Sequence, residues 1–168
     1  GNDLIPNAIN KKLNMEFHIP ETPIPHAVVD AQRMRQVMLN FVDNSIKYTP
    51  KGSVDVYIRQ KDDMIEFSVQ DTGKGITKEE IDLLFNKFTR VGGASRFHTE
   101  GTGLGLYVAK QIVHEHHGEV KVESLGSNKG STFSIEIPIE GSEKSLKVGE
   151  KTSVVIKAAD AQGNGGSK

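Results

Sequence analysis

Two glycine-rich hexamers carry the strongest chemical signal of this sequence. The first, Asp71-Thr72-Gly73-Lys74-Gly75-Ile76, places an acid and two glycines directly after an alternating apolar run. A carboxylate at a strand end can accept a hydrogen bond from an exocyclic amine, and glycines let the backbone approach a flat ring or adopt positive φ. Asp and Gly also form ordinary turns after strands, so the hexamer by itself leaves both interpretations open.

The second hexamer, Gly101-Thr102-Gly103-Leu104-Gly105-Leu106, precedes an amphipathic run that predicts a helix. Helix N-termini present free N–H groups and the positive end of the helix dipole to phosphate. The spacing is G-x-G-x-G, without the Gly-Lys-Ser/Thr of a P-loop and without the G-x-G-x-x-G of dinucleotide-binding folds. Both of those nucleotide-site classes are therefore disfavoured.

A polar stripe on an upstream helix is the third candidate element. Asn40, Asn44 and Lys47 are spaced by four and three residues, so they share one helical face. Asn costs helix propensity relative to Ala, so two on one stripe need a reason, which is either surface polarity or ligand binding. Amide oxygens suit Mg²⁺, which prefers hard donors and keeps several waters, while Lys47 would neutralise phosphate charge.

The hydrophobic pattern predicts the elements that position these residues. The first half of the chain is predicted to form a strand over 13–19, a helix from the N-cap Asp30 to about Tyr48, and a hairpin of strands over 54–58 and 65–69 joined at 61–63. A short helix then runs from a Thr77/Glu80 capping box to about Phe85, followed by a long loop over 86–101. The last elements are a helix over 104–117 with Gly118 as its C′ residue and a closing hairpin of strands over 120–122 and 133–137. This order predicts an α+β, two-layer α/β sandwich. A mixed, mostly antiparallel sheet of about five strands would be covered on one face by three helices.

The chain divides into three predicted parts. At 168 residues it suits one domain, placed at 14–140, preceded by a remnant or linker over 1–13. Residues 141–168 are rich in Gly, Ser and Lys and are expected to form a polar flexible tail or linker. Val154-Val155-Ile156 has the composition of a strand, but no pattern flanks it.

Bulk composition excludes several classes of function. With 21 basic and 22 acidic residues, the formal charge of −1 offers no basic excess for binding nucleic acid. The sequence has no cysteine, which excludes disulfides, Cys-based zinc sites and thiol catalysis. No apolar run approaches the roughly 20 residues that span a bilayer, and the N-terminus lacks a signal pattern. The initial Gly1 in place of Met suggests that neighbouring domains are missing.

Four segments together resemble the N, G1, F and G2 boxes of the histidine-kinase catalytic domain in the GHKL (Bergerat-fold) ATPase superfamily. The boxes are Asn40-x-x-x-Asn44-Ser-Ile-Lys47-Tyr48, Asp71-x-Gly73-x-Gly75, Leu84-Phe85-Asn86-Lys87-Phe88-Thr89-Arg90 and Gly101-Thr102-Gly103-Leu104-Gly105-Leu106. Their order and spacing match the family, and the resemblance covers roughly residues 13–140.

The resemblance implies a site for ATP and Mg²⁺. Asn44 would ligate the metal, Asn40 would lie beside the phosphates, and Lys47 would contact phosphate. Tyr48 would pack beside the adenine, and Asp71 would accept a hydrogen bond from its amino group. The other implied base-pocket, lid and phosphate-cradle residues are Gly73, Gly75, Ile76, Phe85, Phe88, Gly101, Thr102, Gly103, Leu104, Gly105 and Leu106, and the resemblance assigns Arg90 and Arg96 to the γ-phosphate.

Asn40 separates branches of the superfamily. In gyrase-like and chaperone-like members, the corresponding residue is a Glu that activates water, whereas an amide cannot act as a general base near neutral pH. The site is therefore expected to hold ATP without rapid hydrolysis, as a kinase requires. Asp43, the nearest carboxylate, lies about 100° around the helix from Asn44 and is a weaker candidate for activating water.

The predicted function is that of the catalytic domain of a two-component sensor histidine kinase. It would donate the γ-phosphate of Mg-ATP to a histidine on a separate dimerisation domain, with a response regulator acting downstream. None of the six histidines fits the family's acceptor motif, and His114 with His117 lacks a third metal ligand at suitable spacing. We therefore expect a cytoplasmic, monomeric domain that does not autophosphorylate alone, and leave membrane attachment of the whole protein open.

Two alternatives remain at this stage. One is a serine kinase of the anti-sigma type on the same fold, from which acid-labile phosphohistidine would distinguish the first function. The other is a nucleotide-gated module that binds a partner protein without transferring phosphate.

Overall fold

The computed structural model describes residues 8, 10–81, 83–84, 104–142 and 155–158. The elements are β1 (Asn14–His18), α1 (Ala31–Tyr48), β2 (Ser53–Lys61), β3 (Met64–Asp71), α2 (Lys78–Ile81), α3 (Gly105–Glu115), β4 (Glu119–Ser124), β5 (Ser131–Pro138) and β6 (Val155–Ala158). The two predicted hairpins are present as β2–β3 and β4–β5. No helix among the described residues has the length and apolar character needed to cross a membrane.

The strands form one mixed sheet in the order β1-β2-β3-β5-β4-β6. The three central pairings are antiparallel, and the two outer pairings, β1 with β2 and β4 with β6, are parallel. The apolar side chains of one face pack against the helices, with Phe41, Val54, Val69, Val113 and Val122 deep in the core. This arrangement confirms the predicted α+β sandwich.

A sixth strand extends the predicted sheet. β6 comes from the segment that the sequence predicted as a tail, and it pairs with β4 from Lys121↔Val155 to Ser124↔Ala158. Its partner is the outer edge of β4, more than thirty residues earlier in the chain, so local sequence gave no sign of the pairing. The domain boundary at residue 140 stays a prediction.

α1 begins and ends where its sequence predicts. Asp30 Oδ1 accepts hydrogen bonds from the backbone N–H groups of Gln32 (3.0 Å) and Arg33 (3.1 Å), which satisfies two otherwise unpaired donors of the first turn. The helix ends before Thr49, because a residue that precedes proline is disfavoured in the helical region. One stripe of α1 is buried, namely Met34, Val37, Phe41, Ser45 and Ile46.

The C-terminus of α3 corrects one prediction. His117, and not Gly118, adopts the left-handed conformation, with φ of 57°. The N–H of Gly118 donates to Val113 O (2.9 Å) and that of His117 to His114 O (3.0 Å), which is the Schellman pattern. Gly118 is required for a different reason, because a Cβ there would lie 2.5 Å from Ile137 Cδ1 and 2.6 Å from Glu136 O.

The short helix α2 has the predicted capping box. The Thr77 N–H donates to Glu80 Oε2 (2.9 Å), and the Glu80 N–H donates to Thr77 Oγ1 (3.3 Å). The helix ends at Ile81, earlier than predicted, and bonds of the i to i−3 type follow at Leu83 and Leu84. Ile81, the last residue of this four-residue helix, is buried in the core.

Within the segment 1–13, Ala8 and Lys11 contact the domain. Ala8 is buried in the core, and Lys11 Nζ donates to Ile46 O (2.7 Å) and Lys47 O (2.8 Å). Lys11 thereby binds two terminal carbonyls of α1, where a cation is favoured by the helix dipole. Burial, followed by repulsion from Lys74, lowers the pKa of Lys11.

Candidate functional site

Asp71 is a buried carboxylate at the last position of β3, only 5% exposed. Its Oδ2 accepts hydrogen bonds from Ser131 Oγ (2.6 Å) and Ser45 Oγ (3.4 Å), and its Oδ1 accepts one from the Gly73 N–H (2.8 Å). A carboxylate offers about four acceptor positions, so these donors leave roughly one for a further partner. Asp71 is thus a fixed acceptor held from three separate parts of the chain.

The glycines of the first hexamer allow close backbone approach. A Cβ at Gly73 would lie 2.5 Å from Tyr48 O and 2.7 Å from Thr49 Oγ1. Gly75 has φ of 63°, and a Cβ there would overlap the carbonyl oxygen of Gly126. Both glycines are therefore required to thread the hexamer between the end of α1 and the β4–β5 turn, and their contact with a base stays a prediction.

The β4–β5 turn holds the other side of the hexamer. The Ile76 N–H donates to Ser124 Oγ (2.9 Å), and Ser124 Oγ donates to Gly130 O (2.7 Å). The Gly130 N–H donates in turn to Gly73 O (3.1 Å). Hydrogen bonds across the turn therefore fix the hexamer, and Ile76 itself is buried in the core.

Three serines of this site were missed by the sequence analysis. Ser45 and Ser131 donate to Asp71, and Ser124 joins the hexamer to the β4–β5 turn. A signal existed for Ser45, because it interrupts the buried stripe of α1 and a buried hydroxyl needs a hydrogen-bond partner. Ser131 and Ser124 had no such signal, since their alternating strands predict only which face they occupy.

The polar stripe of α1 meets the start of α3. Asn44 Nδ2 donates to Asn40 Oδ1 (3.5 Å), a bond that leaves the Asn44 amide oxygen unused. Asn40 Nδ2 is buried and has no hydrogen-bond partner in the described part of the chain. A Cβ on Gly105 would lie 2.5 Å from Asn40 Oδ1, so the last glycine of the second hexamer is what lets α3 approach Asn40.

A groove of about 530 Å³ runs between α1 and α3. Its lining residues are Gln32, Arg35, Gln36, Val37, Leu39, Asn40, Asp43, Gly105, Val108, Ala109 and Ile112. Leu104 precedes α3 as an N-cap without a side-chain hydrogen bond, so it does not itself cap the first N–H groups of the helix. Asn40 and the first residue of α3 both line this groove. The Asn40 Nδ2 group and the N-terminus of a helix are both suited to binding an anion.

Lys11, Lys47 and Lys74 lie near the C-terminal end of α1. The charges of Lys74 and Lys47 contribute to the lowered pKa of Lys11, while Asp43 acts against them, so all three groups lie within electrostatic reach of Lys11. Lys47 Nζ lies 5.9 Å from the ring centroid of Tyr48, whose side chain is half-exposed. The surface around the C-terminal end of α1 is locally basic although the chain has a net charge of −1.

The structure brings the described site residues to one region, and the other predicted site residues lie outside the described part of the chain. The first hexamer, Asn40, Asn44, Lys47, Tyr48, Leu104, Gly105 and Leu106 all lie on or beside α1, α3 and the end of β3. The predicted residues outside the described part are Phe85, Phe88, Arg90, Arg96, Gly101, Thr102 and Gly103. Their roles in a lid and phosphate cradle stay predictions.

A comparison with protein families identifies the family to which this domain belongs. Residues 29–141 match the family described as "Histidine kinase-, DNA gyrase B-, and HSP90-like ATPase". The chain belongs to this family. The matched range includes α1, both hexamers and the strands β2 to β5, so the whole candidate site lies within the family's domain.

Curated relatives of this ATPase family are sensor kinases. The chain is 33% identical over 146 residues to the sensor histidine kinase RcsC of Escherichia coli, which covers 86% of this chain and 15% of the relative. It is 40% identical over 110 residues to the circadian input-output histidine kinase CikA of Synechococcus elongatus, covering 65% and 14%. The chain thus spans about one seventh of the length of these relatives.

Solved structures of the family share the fold. The mycobacterial sensor histidine kinase MprB superposes with a TM-score of 0.68 at 29% identity, covering 82% of this chain and 91% of that one. Full-length ShkA in complex with AMPPNP also gives 0.68, at 30% identity, covering 80% and 27%. The catalytic domain of the histidine kinase ThkA gives 0.65 at 27% identity, covering 82% and 93%.

Proposed function

We propose that this chain is the ATP-binding catalytic domain of a two-component sensor histidine kinase. It binds Mg-ATP and donates the γ-phosphate to a histidine on a separate dimerisation domain. The observation that carries the proposal is Asp71, a buried carboxylate fixed by Ser45, Ser131 and Gly73 with roughly one acceptor position left. The names of the relatives support the same activity.

Adenine and phosphates would bind at opposite ends of the site. The exocyclic amine of adenine donates to the remaining acceptor position of Asp71, and Tyr48 packs beside the base. The phosphates accept from Asn40 Nδ2, which is buried and has no partner among the described residues, and from the N–H groups at the start of α3. Lys47 adds positive charge near them, and we assign Arg90, which lies outside the described residues, to the γ-phosphate.

The donor set at Asn44 fits Mg²⁺. Its amide oxygen is a hard ligand not used in the bond to Asn40, and one protein oxygen with phosphate oxygens and waters satisfies the ion. When bound, Mg²⁺ neutralises charge that develops on the transferred phosphoryl group. Asn40 cannot deprotonate water, so we expect hydrolysis of bound ATP to be slow compared with transfer to the acceptor histidine.

The remaining partners follow from this assignment. A response regulator would receive the phosphoryl group from the acceptor histidine, and catalysis would depend mainly on positioning and charge stabilisation. We expect the isolated domain to be monomeric, to face the cytoplasm where ATP is, and not to bind nucleic acid.

Calorimetric titration with ATP, with and without Mg²⁺, tests the site. Asp71→Asn replaces an acceptor oxygen with an amide that can place a donor against the adenine amine. We expect at least a tenfold loss of affinity, equivalent to about 1.4 kcal/mol. Asp62→Asn is the matched control, because it makes the same chemical change at an exposed turn residue between β2 and β3.

Equal affinity of the Asp71→Asn and Asp62→Asn variants would contradict the adenine assignment. Transfer is tested separately, by mixing the chain with [γ-³²P]ATP and an acceptor domain of the same kinase. Acid-labile label on the acceptor supports a histidine kinase, whereas acid-stable label would indicate a serine kinase. Tight binding of Mg-ATP without transfer would favour a nucleotide-gated binding module.

A further inference from the structure

The far face of the sheet carries a cluster of metal-ligating side chains outside the nucleotide site. β1 and β2 pair in parallel with Asn14 opposite Ser53, Glu16 opposite Asp55 and His18 opposite Tyr57. These six side chains share the face opposite the one that buries Val54 and Val56, because side chains alternate along a strand. Two neighbouring pairs on this face, Glu16 with Asp55 and His18 with Tyr57, thus present Glu, His and Asp together at the sheet edge.

The potential ligand atoms already converge. His18 Nε2 lies 3.3 Å from Asp55 Oδ1 and 3.9 Å from Glu16 Oε2, and all three ligand atoms lie within 4.8 Å of one another. Ligands at about 2.0 Å from a tetrahedral Zn²⁺ are about 3.3 Å apart. One pair therefore already has the spacing of a zinc site, and small rotations of Glu16 would bring the third ligand into place.

Neighbouring side chains donate hydrogen bonds to the second oxygen of each carboxylate. Asn14 Nδ2 donates to Glu16 Oε1 (3.0 Å), and Ser53 Oγ donates to Asp55 Oδ2 (3.2 Å). In each carboxylate it is the other oxygen that faces His18. The His18 ring stacks on Tyr57 with a centroid distance of 4.3 Å and an interplanar angle of 9°. Such outer contacts are the kind that orient metal ligands.

We propose that Glu16, His18 and Asp55 bind a divalent transition-metal ion, with Zn²⁺ as the expected occupant and water completing its coordination. The imidazole nitrogen selects zinc over Mg²⁺, which prefers oxygen ligands only. The site lies on the sheet face away from Asp71, whose side chain points to the helices, so zinc and ATP would occupy different faces. The proposal is independent of the nucleotide-binding function.

The test is calorimetric titration of the whole chain with ZnCl₂ in a buffer that contains excess Mg²⁺. We expect one Zn²⁺ per chain at this site, and at least a tenfold loss of affinity in His18→Gln and in Asp55→Asn. His114→Gln is the matched control, since it removes an exposed histidine from the histidine-rich end of α3, and it should retain the binding. Circular dichroism establishes that each variant is folded.

Two results would overturn the proposal. One is a wild-type chain that does not bind Zn²⁺ at up to millimolar concentration. The other is binding that survives in folded His18→Gln and Asp55→Asn but is lost in His114→Gln, which would place the metal at the end of α3. If one variant on the sheet fails to fold, Glu16→Gln gives the same comparison at an exposed side chain.

Discussion

At the scale of single residues, the site depends on how Asp71 is held. Its two oxygens are oriented by hydroxyls from α1 and β5 and by a backbone N–H of its own loop. Because the carboxylate is buried, its orientation is set by these donors and not by water. The residue that would select adenine therefore relies on serines that would not themselves touch the base.

Ser131→Ala tests this dependence. The shortest hydrogen bond to Asp71 is lost, while the smaller side chain still fits β5, so Asp71 becomes less well oriented. A net hydrogen-bond contribution of about 0.5–1.5 kcal/mol predicts a loss of ATP affinity of about twofold to twelvefold, measured by calorimetry.

Ser134→Ala is the control, because Ser134 lies on the same strand, is equally buried, and faces the opposite side of the sheet. We expect it to bind ATP like the wild-type chain. Equal affinities of Ser131→Ala and Ser134→Ala would show that Ser131 does not position Asp71.

At the scale of secondary-structure elements, α1 and α3 are joined at their ends away from the hexamers. The Asp30 N–H donates to His116 Nε2 (2.9 Å), while His116 Nδ1 contacts Ile112 O (2.7 Å). Arg33 pairs with Glu115 one turn into α1. These contacts fix the groove at the start of α1 and the end of α3, and so set where Asn40 meets Gly105.

Asp30→Ala tests the cap that begins α1. The substitution removes the oxygen that binds the N–H groups of Gln32 and Arg33, but it keeps the backbone N–H that donates to His116. We expect the free energy of unfolding in urea to fall by about 1 kcal/mol.

Asp30→Asn retains a capping oxygen and should be nearly as stable as the wild-type chain, because Asn and Asp are similar N-caps. If Asp30→Ala matches Asp30→Asn in its unfolding midpoint, the side chain of Asp30 is not what stabilises the start of α1.

At the scale of the whole molecule, charged side chains cross the open face of the sheet. Glu66 on β3 and Glu136 on β5 are cross-strand neighbours with little exposure. Lys61 Nζ lies 3.6 Å from Glu66 and 2.8 Å from Glu136, and Lys121 also pairs with Glu136. Burial alone would raise the pKa of Glu136, but the hydrogen bonds and charges of Lys121 and Lys61 outweigh it and lower the pKa.

Glu136 therefore makes stability depend on pH. A depressed pKa means that the unfolded chain binds a proton first as pH falls, so the native carboxylate stabilises the fold above the unfolded value of about 4.3. This contribution is lost as pH falls through the lower native pKa. We expect Glu136→Gln to unfold at lower urea concentration at pH 7 and to lose less stability than wild type between pH 5 and pH 3.

Glu140→Gln, at an exposed carboxylate just beyond β5, is the control for this measurement. Its urea midpoints should follow those of the wild-type chain across the range. A Glu136→Gln variant with the full wild-type loss of stability in acid would show that another group carries the pH dependence.

The sequence by itself determined the elements whose causes are local. The Asp30 cap, the Thr77/Glu80 capping box and the two hairpins depend on residues a few positions apart, so spacing alone predicts them. The hexamers and the Asn40, Asn44 stripe likewise indicated a candidate site from the sequence alone, because their chemistry is unusual within a strand end or a helix.

Only the tertiary structure decided the contacts between distant segments. Ser131 reaches Asp71 across 60 residues, and Lys11 reaches the end of α1 across 35. β6 joins the sheet by pairing with β4, and Gly118 is needed because Ile137 and Glu136 leave no room for a Cβ. Each of these depends on which surfaces pack together, and hydrophobic periodicity specifies the face that a residue occupies but not its partner on that face.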